Sequence, residues 1–331
     1  MWQELLKQEL EAKLCNYGGL RKKKINFLLY SPLVIVNKEL GYMITPQSQA
    51  KQLAKAIGLN TELYLKREDL HPHGSHKGRS IPPMITKYTK SGWTDFCISS
   101  SGNAAISAAI TINKHNAKQT KKKLSLKIFV GKNIDKNKLK TIEALTNKNI
   151  TIEKIKNPKQ AAFQMDKKRA AKNLRQSTDD SALTGYEALA AELAKIKNLA
   201  AVFIPTSSGA TAQGLHNGFK KLGLNPQIHI VQTPACHPMI KSSAATKPSL
   251  ANAIVDKIGY RKEMVQKAMR DSEGKGWIAM DNDITKTKLK VKKTENLDIS
   301  SNSALGIAGL RLALQNNWRF DGPVACLLTG R

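Results

Sequence analysis

Several features that would place a chain in a special class are missing from this sequence of 331 residues. Its four cysteines, Cys15, Cys97, Cys236 and Cys326, are far apart and form no CxxC pair, so neither a disulfide framework nor a zinc or other metal site is indicated. No stretch approaches the roughly 20 apolar residues that span a bilayer. We therefore expect a globular protein without a membrane partner, whose cysteines are small buried residues.

The amino terminus also lacks the pattern of a signal peptide. The stretch MWQELLKQELEAKL is interpreted as an amphipathic helix that carries acidic residues. A secretory signal instead has a basic segment followed by an apolar one. The expected location is therefore the cytoplasm.

Acidic residues are scarce: 25 Asp and Glu stand against 54 Lys and Arg, a formal net charge of +29. Such an excess is typical of proteins that bind nucleic acids. Here the basic residues are mostly Lys, spread along the chain in short runs and not interleaved with aromatic residues. A solvated Lys-rich surface explains this pattern, so a nucleic-acid partner is not expected.

From about residue 60, short β-branched runs alternate with longer stretches that have apolar residues at helical spacing. This alternation is typical of α/β folds with mostly parallel sheets. Strands are predicted at residues 62–66, 95–100, 125–131, 150–155, 201–205, 228–233 and 323–329. Helices are predicted near residues 77–90, 103–115, 135–146, 158–174, 184–195, 210–222 and 303–315. Residues 240–300 show weaker patterns and are interpreted as loops.

Lys77 begins a predicted helix, after a predicted strand, a charged turn and Gly74. The amides and the positive dipole end at a helix N-terminus attract anions. The same potential lowers the pKa of a neighbouring lysine, so that neutral amine is available to form an imine. Taken alone, however, the pattern also fits one surface lysine among dozens.

A second junction between a strand and a helix contains Ser99, Ser100, Ser101, Gly102 and Asn103. Three hydroxyls and the amides of a helix start suit a carboxylate, and the Asn103 amide can donate to a phenolate or a carbonyl. A helix capped by Ser or Asn explains the same residues without a ligand.

A third junction provides the best phosphate cradle in the chain, at Ser207, Ser208, Gly209, Ala210 and Thr211. Small residues let backbone amides approach phosphate oxygens, and hydroxyls add donors. A tight turn without a ligand is the alternative.

The last predicted strand ends at Thr329, which is followed by Gly330 and places a hydroxyl at the carboxyl end of an apolar strand. A cap or a turn explains this hydroxyl without a ligand. Ligands of parallel sheets bind at the carboxyl ends of strands. We therefore expect a cleft lined by Lys77, Asn103 and Ser208.

Taken in order over residues 45–331, these four segments resemble the pyridoxal phosphate (PLP) enzymes of the tryptophan synthase β family, which include threonine synthase, threonine dehydratase and cysteine synthase. The resemblance implies PLP fold type II, with two three-layer αβα domains and mostly parallel sheets. A large PLP-binding domain would comprise residues 1–81 and 181–331, and a smaller inserted domain residues 82–180. The resemblance also implies PLP as cofactor, an amino-acid substrate and a homodimer.

The same resemblance assigns roles to residues. Lys77 would form the imine with PLP and act as the catalytic base. Ser100, Ser101 and Gly102 would bind the substrate carboxylate. The implied cofactor-binding residues are His76, Lys77, Asn103, Ser207, Ser208, Gly209, Ala210, Thr211 and Thr329. Since a threonine cannot hold a protonated pyridinium as an aspartate would, Thr329 would favour elimination or replacement at the β-carbon over transamination.

Three positions depart from the family pattern. Ser207 and Ala210 stand where the phosphate loop of the family has glycines, and a side chain there would cost about 1 kcal/mol or more if the position needs a positive φ. Gly78 stands where threonine synthase usually has an acidic residue. In addition, the run Phe96 to Ser99 lacks the catalytic Glu of tryptophan synthase β, which disfavours that member.

The stretches SSGNAAISAA and SNSALGIAGL resemble threonine synthase and threonine dehydratase more than other members. The first expectation is therefore a threonine synthase-like enzyme that converts O-phosphohomoserine into threonine. The alternatives are a threonine or serine dehydratase, or a cysteine synthase-like enzyme. A further alternative, suggested by Ser207 and Ala210, is a non-catalytic protein that keeps the fold and binds polyanions.

Overall fold

Two largely parallel sheets organise the part of the chain that the computed structural model describes, residues 35–37, 42–118, 122–241 and 248–331. The strands are β1 (Ile35–Asn37), β2 (Tyr42–Ile44), β3 (Gln47–Gln49), β4 (Leu63–Lys66), β5 (Asp95–Ser99), β6 (Ser125–Gly131), β7 (Ile150–Ile155), β8 (Lys172–Asn173), β9 (Ala201–Pro205), β10 (Gln227–Gln232), β11 (Gly276–Ile278) and β12 (Val324–Leu327). The α-helices are α1 (Lys51–Ile57), α2 (Lys77–Lys90), α3 (Asn103–Ala117), α4 (Lys136–Glu143), α5 (Pro158–Lys167), α6 (Thr184–Leu193), α7 (Ala210–Lys221), α8 (Lys262–Asp271), α9 (Asp281–Glu295) and α10 (Ser301–Gln315). The helix predicted at the amino terminus and Cys15 lie outside the described residues.

The larger sheet has six strands in the order β11-β10-β9-β12-β4-β3. All neighbours are parallel except β3, which runs antiparallel to β4 at one edge. The smaller sheet has the order β7-β6-β5-β8 and is parallel throughout. A short antiparallel pair, β1 with β2, stands apart from both.

Alternation along the central strands divides their side chains between two cores. Phe203 of β9 packs in the core that includes α1, α9 and α10, whereas Val202 and Ile204 pack in the core that includes α6, α7 and α8. Successive side chains of a strand point to opposite faces. Because both faces of the sheet are covered, these strands are continuous apolar runs.

The smaller sheet repeats this arrangement. Phe96 and Ile98 of β5 pack against α2 and α3, while Cys97 between them packs against α5. Cys97, Cys236 and Cys326 are buried free thiols, as the sequence predicted. The structure therefore confirms an α/β fold with mostly parallel sheets, each between layers of helices.

All of the strands and helices predicted from residue 60 onward are present, and most of their ends lie within a few residues of the predicted ones. The helix predicted over residues 158–174 ends earlier, at Lys167. Arg169 has a φ of 56°, a left-handed conformation that a helix cannot contain. The chain then enters β8 instead.

Residues 248–261, 272–275 and 296–300 have no helix or strand, but the region predicted as loops also contains α8, β11 and α9. Both helices bury few side chains: α8 buries Val265 and Ala268, and α9 buries Ile284, Thr287 and Val291. Among its five lysines, α9 therefore shows only a weak helical period, whereas α8 has a clear apolar stripe, formed by Met264, Val265, Ala268 and Met269, that the sequence analysis missed.

The strands of the smaller sheet all lie within residues 82–180, the predicted smaller domain. The division of the chain at residues 82 and 180 stays a prediction. None of the helices in the described ranges has the length and apolarity needed to cross a bilayer.

Pro82 and Pro83 interrupt the hydrogen bonding inside α2. Because proline has no N–H, Pro83 cannot bond to the carbonyl of Arg79, four residues earlier. Gly185 of α6 lies against that carbonyl, and a Cβ at Gly185 would stand 1.8 Å from the Arg79 oxygen. The close approach of α2 and α6 therefore requires glycine at this position.

We expect Gly185→Ala to destabilise the protein by about 1–3 kcal/mol, because the added methyl group must displace the backbone of Arg79. Gly131→Ala is the matched control, since a Cβ at Gly131 would meet nothing within 4 Å. Urea unfolding of both variants measures the difference. Equal stabilities would show that α2 and α6 separate without a penalty.

Candidate active site

A cavity of about 810 Å³ lies where the carboxyl ends of strands from both sheets meet. Its lining includes residues that stand one or two positions after the ends of β5, β7, β8, β9 and β12. The predicted site residues that line it are His76, Lys77, Ser100, Ser101, Gly102, Asn103, Ser207, Ser208 and Thr329. Gly209, Ala210 and Thr211 are not among the lining residues, and they form the start of α7 directly after Ser208. The structure thus brings all four predicted segments together.

Lys77 is the first residue of α2 and is half-buried. The backbone just before it is held by the end of β12: the amide of His76 donates to the Thr329 carbonyl at 2.9 Å, and Ser75 pairs with Gly330. On the other side, the Ser107 hydroxyl of α3 donates to the Lys77 carbonyl at 3.2 Å. Both sheets therefore contribute to the position of this lysine.

The imidazole of His76 lies beside Lys77, and its Nδ1 is 2.7 Å from the Thr329 carbonyl oxygen. Burial, with a smaller contribution from the charge of Lys77, lowers the pKa of His76 to about 3. Burial likewise lowers the pKa of His73 to about 3. These rings are neutral at physiological pH, so they donate hydrogen bonds near Lys77 without adding positive charge.

His71 explains the departure at Gly78. A Cβ at Gly78 would lie 2.0 Å from Cε1 of the His71 ring. An acidic side chain at position 78 would therefore clash with the His71 ring. The His71 ring fills the space that a side chain at position 78 would take.

Four buried charged side chains, which we call the buried charge network, lie behind Lys77: Lys66, Glu68, Arg79 and Glu192. Lys66 Nζ is 2.6 Å from a Glu192 oxygen, and Arg79 pairs with Glu68 at 2.8 Å and also with Glu192. Burial by itself would raise the pKa of Glu68, but the charge and hydrogen bonds of Arg79 outweigh it and lower that pKa to about 2. The sequence analysis missed this network. The sequence feature that could have revealed the network is Glu192, a charged residue in the apolar stretch at the end of α6.

Asn103 is the first residue of α3, and its carboxamide lies close to Gly330. A Cβ at Gly330 would come within 2.8 Å of Asn103 Nδ2, so the small residue leaves room for this amide. The Gly330 carbonyl accepts hydrogen bonds from Ser300 at 2.6 Å and Ser303 at 2.8 Å, at the start of α10. Thr329 is thereby held at the carboxyl end of β12, with 5% of its surface exposed.

Gly209 provides the turn that starts α7. Its φ is 82°, and a Cβ there would meet Val265 at 2.7 Å. Ser207 and Ala210 do not have a positive φ. The steric penalty that the sequence suggested for these two replacements of glycine therefore does not arise.

Basic side chains that the sequence analysis did not single out also line the cavity: Lys138, Lys156, Lys159, Arg175 and Arg331. Lys156 and Lys159 follow the predicted strand β7, and this position could have revealed them. Arg175 follows β8, which the sequence analysis did not predict. Asp256 is the only acidic residue among the described residues of the lining. An anion is therefore favoured in this part of the cavity.

Comparison with known proteins agrees with this geometry. The family model described as "Pyridoxal-phosphate dependent enzyme" matches residues 38–330. A threonine synthase from Methanosarcina acetivorans is 23% identical over 308 residues, which cover 86% of this chain and 74% of the relative. A threonine synthase from Methanocaldococcus jannaschii is 23% identical over 342 residues, covering 94% of this chain and 81% of the relative.

Two solved structures show the same fold. Maize serine racemase aligns with a TM-score of 0.73 at 15% identity, over 93% of this chain and 91% of that structure. A processed form of threonine deaminase isoform 2 from Solanum lycopersicum aligns with a TM-score of 0.72 at 19% identity, over 94% and 90%.

Stability should fall as the pH is lowered from about 7 to about 5. Burial lowers the pKa of His73, His76 and His229 to about 3 in the folded protein and that of His71 to about 4, against about 6.5 in an unfolded chain. Between these pKa values the unfolded chain binds more protons than the folded protein, so the free energy of unfolding rises with pH. The contribution of these histidines to stability is therefore lost progressively as the pH falls below about 6.5. Each histidine contributes up to about 1.4 kcal/mol per pH unit.

Urea unfolding at a series of pH values measures this slope. His229 is remote from Lys77 in the chain, and its ring stacks on Phe203 at 4.4 Å between ring centres. His229→Gln should therefore show a slope that is shallower by about one histidine, even if the variant is less stable throughout. A stability that does not change over this pH range would contradict the neutral state of these rings.

Proposed function

Because the chain belongs to the family of pyridoxal-phosphate dependent enzymes, we propose that it is a threonine synthase-like enzyme that converts O-phosphohomoserine and water into threonine and inorganic phosphate. The family match and the likeness to solved structures confirm the predicted fold type II, with pyridoxal phosphate as cofactor. The observation that carries the finer proposal is the basic lining of the cavity. The names of the two curated relatives support it.

The residues present fit the cofactor. Lys77 supplies a primary amine inside the cavity, and the left-handed turn at Gly209 starts α7 directly after Ser208, which lines the cavity. Such a helix start is suited to a phosphate group. Asn103 would donate to the ring oxygen, and Thr329 would face the pyridine nitrogen. Bound there, the cofactor supplies an electron sink that makes the α-proton of an amino acid easier to remove.

The side chains of this protein would then handle the proton and the orientation of the substrate. The Lys77 amine would take the proton from the α-carbon, as a base held at the start of a rigid helix. The hydroxyls of Ser100 and Ser101 and the Gly102 amide would hold the substrate carboxylate. The neutral His76 ring beside Lys77 adds no charge that would oppose protonation of the amine.

The basic lining favours a substrate with a second anionic group. Lys138, Lys156, Lys159 and Arg175 lie in the cavity in addition to the residues assigned to the cofactor and the carboxylate. Lys159 pairs with Asp256, but the neutral side chain of threonine or serine would leave the other three cations without an anionic group of the substrate to bind. The phosphate of O-phosphohomoserine would use them.

Dehydration of threonine or serine, and cysteine synthase-like replacement, require the same lysine and remain the alternatives. The likeness to threonine deaminase and serine racemase shows the fold alone. The non-catalytic, polyanion-binding alternative has lost its main argument, because neither Ser207 nor Ala210 has a positive φ. The homodimer stays a prediction, which sedimentation can test.

We expect Lys77→Ala to abolish the visible absorbance of the cofactor-loaded protein, because the variant lacks the amine that holds the cofactor. Lys90→Ala, in the exposed last turn of the same helix, is the matched control and should keep the absorbance. Circular dichroism checks that both variants fold. Unchanged absorbance in Lys77→Ala would remove this lysine from its proposed role.

Incubation of the cofactor-loaded protein with O-phosphohomoserine should release threonine and inorganic phosphate in equal amounts. Incubation with threonine alone should yield no 2-oxobutyrate. Colorimetric phosphate assay and chromatography measure these products. Formation of 2-oxobutyrate from threonine, with no phosphate released from O-phosphohomoserine, would establish the dehydratase alternative instead.

One pair of lysine variants tests the basic lining in the same assay. Lys156→Ala should raise KM for O-phosphohomoserine by roughly tenfold, because a charge-assisted contact to phosphate is lost. Lys154→Ala removes an exposed lysine of β7 that does not line the cavity, and it should leave KM unchanged. Equal KM values for both variants would show that Lys156 does not contact the substrate phosphate.

A further inference from the structure

One wall of the cavity is formed by residues 249–256, which we call the wall segment. Asn252, Ala253, Val255 and Asp256 of this segment line the cavity. Its backbone is held by side chains from elsewhere in the chain: the Leu250 amide donates to Asp281 at 3.1 Å, and the Ala253 amide donates to Asn302 at 3.0 Å. The wall segment is therefore an ordered part of the site, although it has no regular secondary structure.

Ser207 is the contact between the wall segment and the predicted phosphate loop. Its hydroxyl oxygen accepts hydrogen bonds from the amides of Val255 at 3.1 Å and Asp256 at 3.2 Å. The hydroxyl also lies 3.2 Å from a carboxylate oxygen of Asp256, to which it donates. A glycine at position 207, as in the loop that this segment resembles, would make none of these contacts.

The other carboxylate oxygen of Asp256 reaches the smaller sheet. It lies 3.1 Å from the ammonium group of Lys159, in the first turn of α5. Both side chains line the cavity, so the ion pair connects its two sides at the rim. Asp256 therefore bonds to the larger sheet with one oxygen and to the smaller sheet with the other.

The two halves of this connection differ in strength. The side chain of Lys159 is 62% exposed and that of Asp256 is 27% exposed. Such ion pairs contribute little and are screened by salt. The bonds from Ser207 hold backbone amides of a segment that is also fixed by Asp281 and Asn302. The ion pair is therefore the contact that breaks first.

A buried contact fixes the neighbouring part of the same boundary. The Arg261 guanidinium, 5% exposed, donates to the Gln176 and Asp179 carbonyls and pairs with Asp180 at 2.7 Å. Breaking it would leave a buried charge without its partners, at a much larger penalty than loss of an exposed pair. Opening at the rim is thus easier at Lys159 than at Arg261.

We propose that Ser207, Asp256 and Lys159 form a strap across the rim of the cavity. Ser207 is the permanent anchor that holds the wall segment, and the pair between Asp256 and Lys159 opens and closes as ligands enter and leave. All three act as positioning residues. The strap does not depend on which amino acid the enzyme uses, so its test needs no substrate.

The anchor is tested by hydrogen–deuterium exchange of the protein without cofactor, followed by mass spectrometry of peptides that contain residues 255 and 256. Ser207→Gly should speed exchange of these two amides by roughly tenfold, because their acceptor is lost. Ser208→Gly is the matched control: its hydroxyl accepts from the amide of Ala210 at 3.4 Å and, among the described residues, from no amide of the wall segment, so the exchange should not change. Unchanged exchange in Ser207→Gly, or an equal rise in both variants, would overturn the anchor.

The opening contact is tested by the release of bound pyridoxal phosphate, in which water enters past the rim and hydrolyses the bond between the cofactor aldehyde and the Lys77 amine. A phosphatase traps the freed cofactor. Asp256→Asn keeps the Lys159 charge and makes the cavity more positive, so charge alone would slow the release of this anion. Loss of the strap should instead speed release by roughly two- to fivefold, the factor expected for an exposed ion pair.

Glu187→Gln is the matched control, because it removes a similarly exposed pair, Glu187 with Lys221 at 2.7 Å, that is remote from the cavity lining. This variant should release the cofactor at the wild-type rate. Release from Asp256→Asn that is slower than wild type or equal to it would overturn the opening contact. So would an equal acceleration in Glu187→Gln.

Discussion

The buried charge network is the constraint on which the position of Lys77 depends. Lys66 lies at the end of β4, Glu68 in the turn that follows, Arg79 in the first turns of α2 and Glu192 in α6. Two positive and two negative charges cancel, and each has its partner within hydrogen-bonding distance. Removing one partner from such a network typically costs about 3–5 kcal/mol, because a charge is left buried and unpaired. Three separate elements are therefore held in one geometry, and Lys77 stands two residues before Arg79.

Contacts around Lys77 extend this constraint into both sheets. His76 bonds to the end of β12, and Ser107 connects the Lys77 carbonyl to α3. The Ser107 oxygen also lies 2.8 Å from Nδ1 of His73. Since these rings are kept neutral by burial, they serve as hydrogen-bond donors and packing surfaces rather than as charges. The positive charge of the site comes from lysine and arginine side chains in the cavity itself.

Most of the fold could be predicted because its signals are local. The strands β5, β6, β9 and β12 are apolar runs, and the helices that follow them have clear apolar stripes. The junction at Ser207 to Thr211 was found because small residues follow a strand and precede a helix. The helix α9 was missed because its few apolar side chains stand among many lysines, whereas α8 has an apolar stripe that could have been found.

By itself the sequence determined most of the strands and helices, the four segments that line the site, and the residue types available there, because each depends on neighbours within a few positions. Only the tertiary structure decided which side chains meet. Glu192 pairs with Lys66 across 126 positions of the chain, and Asp256 reaches Ser207 across 49. It also decided that Ser207 and Ala210 avoid a positive φ while Gly209 adopts one. Such contacts between distant segments follow from the packing of sheets and helices, which no local pattern records.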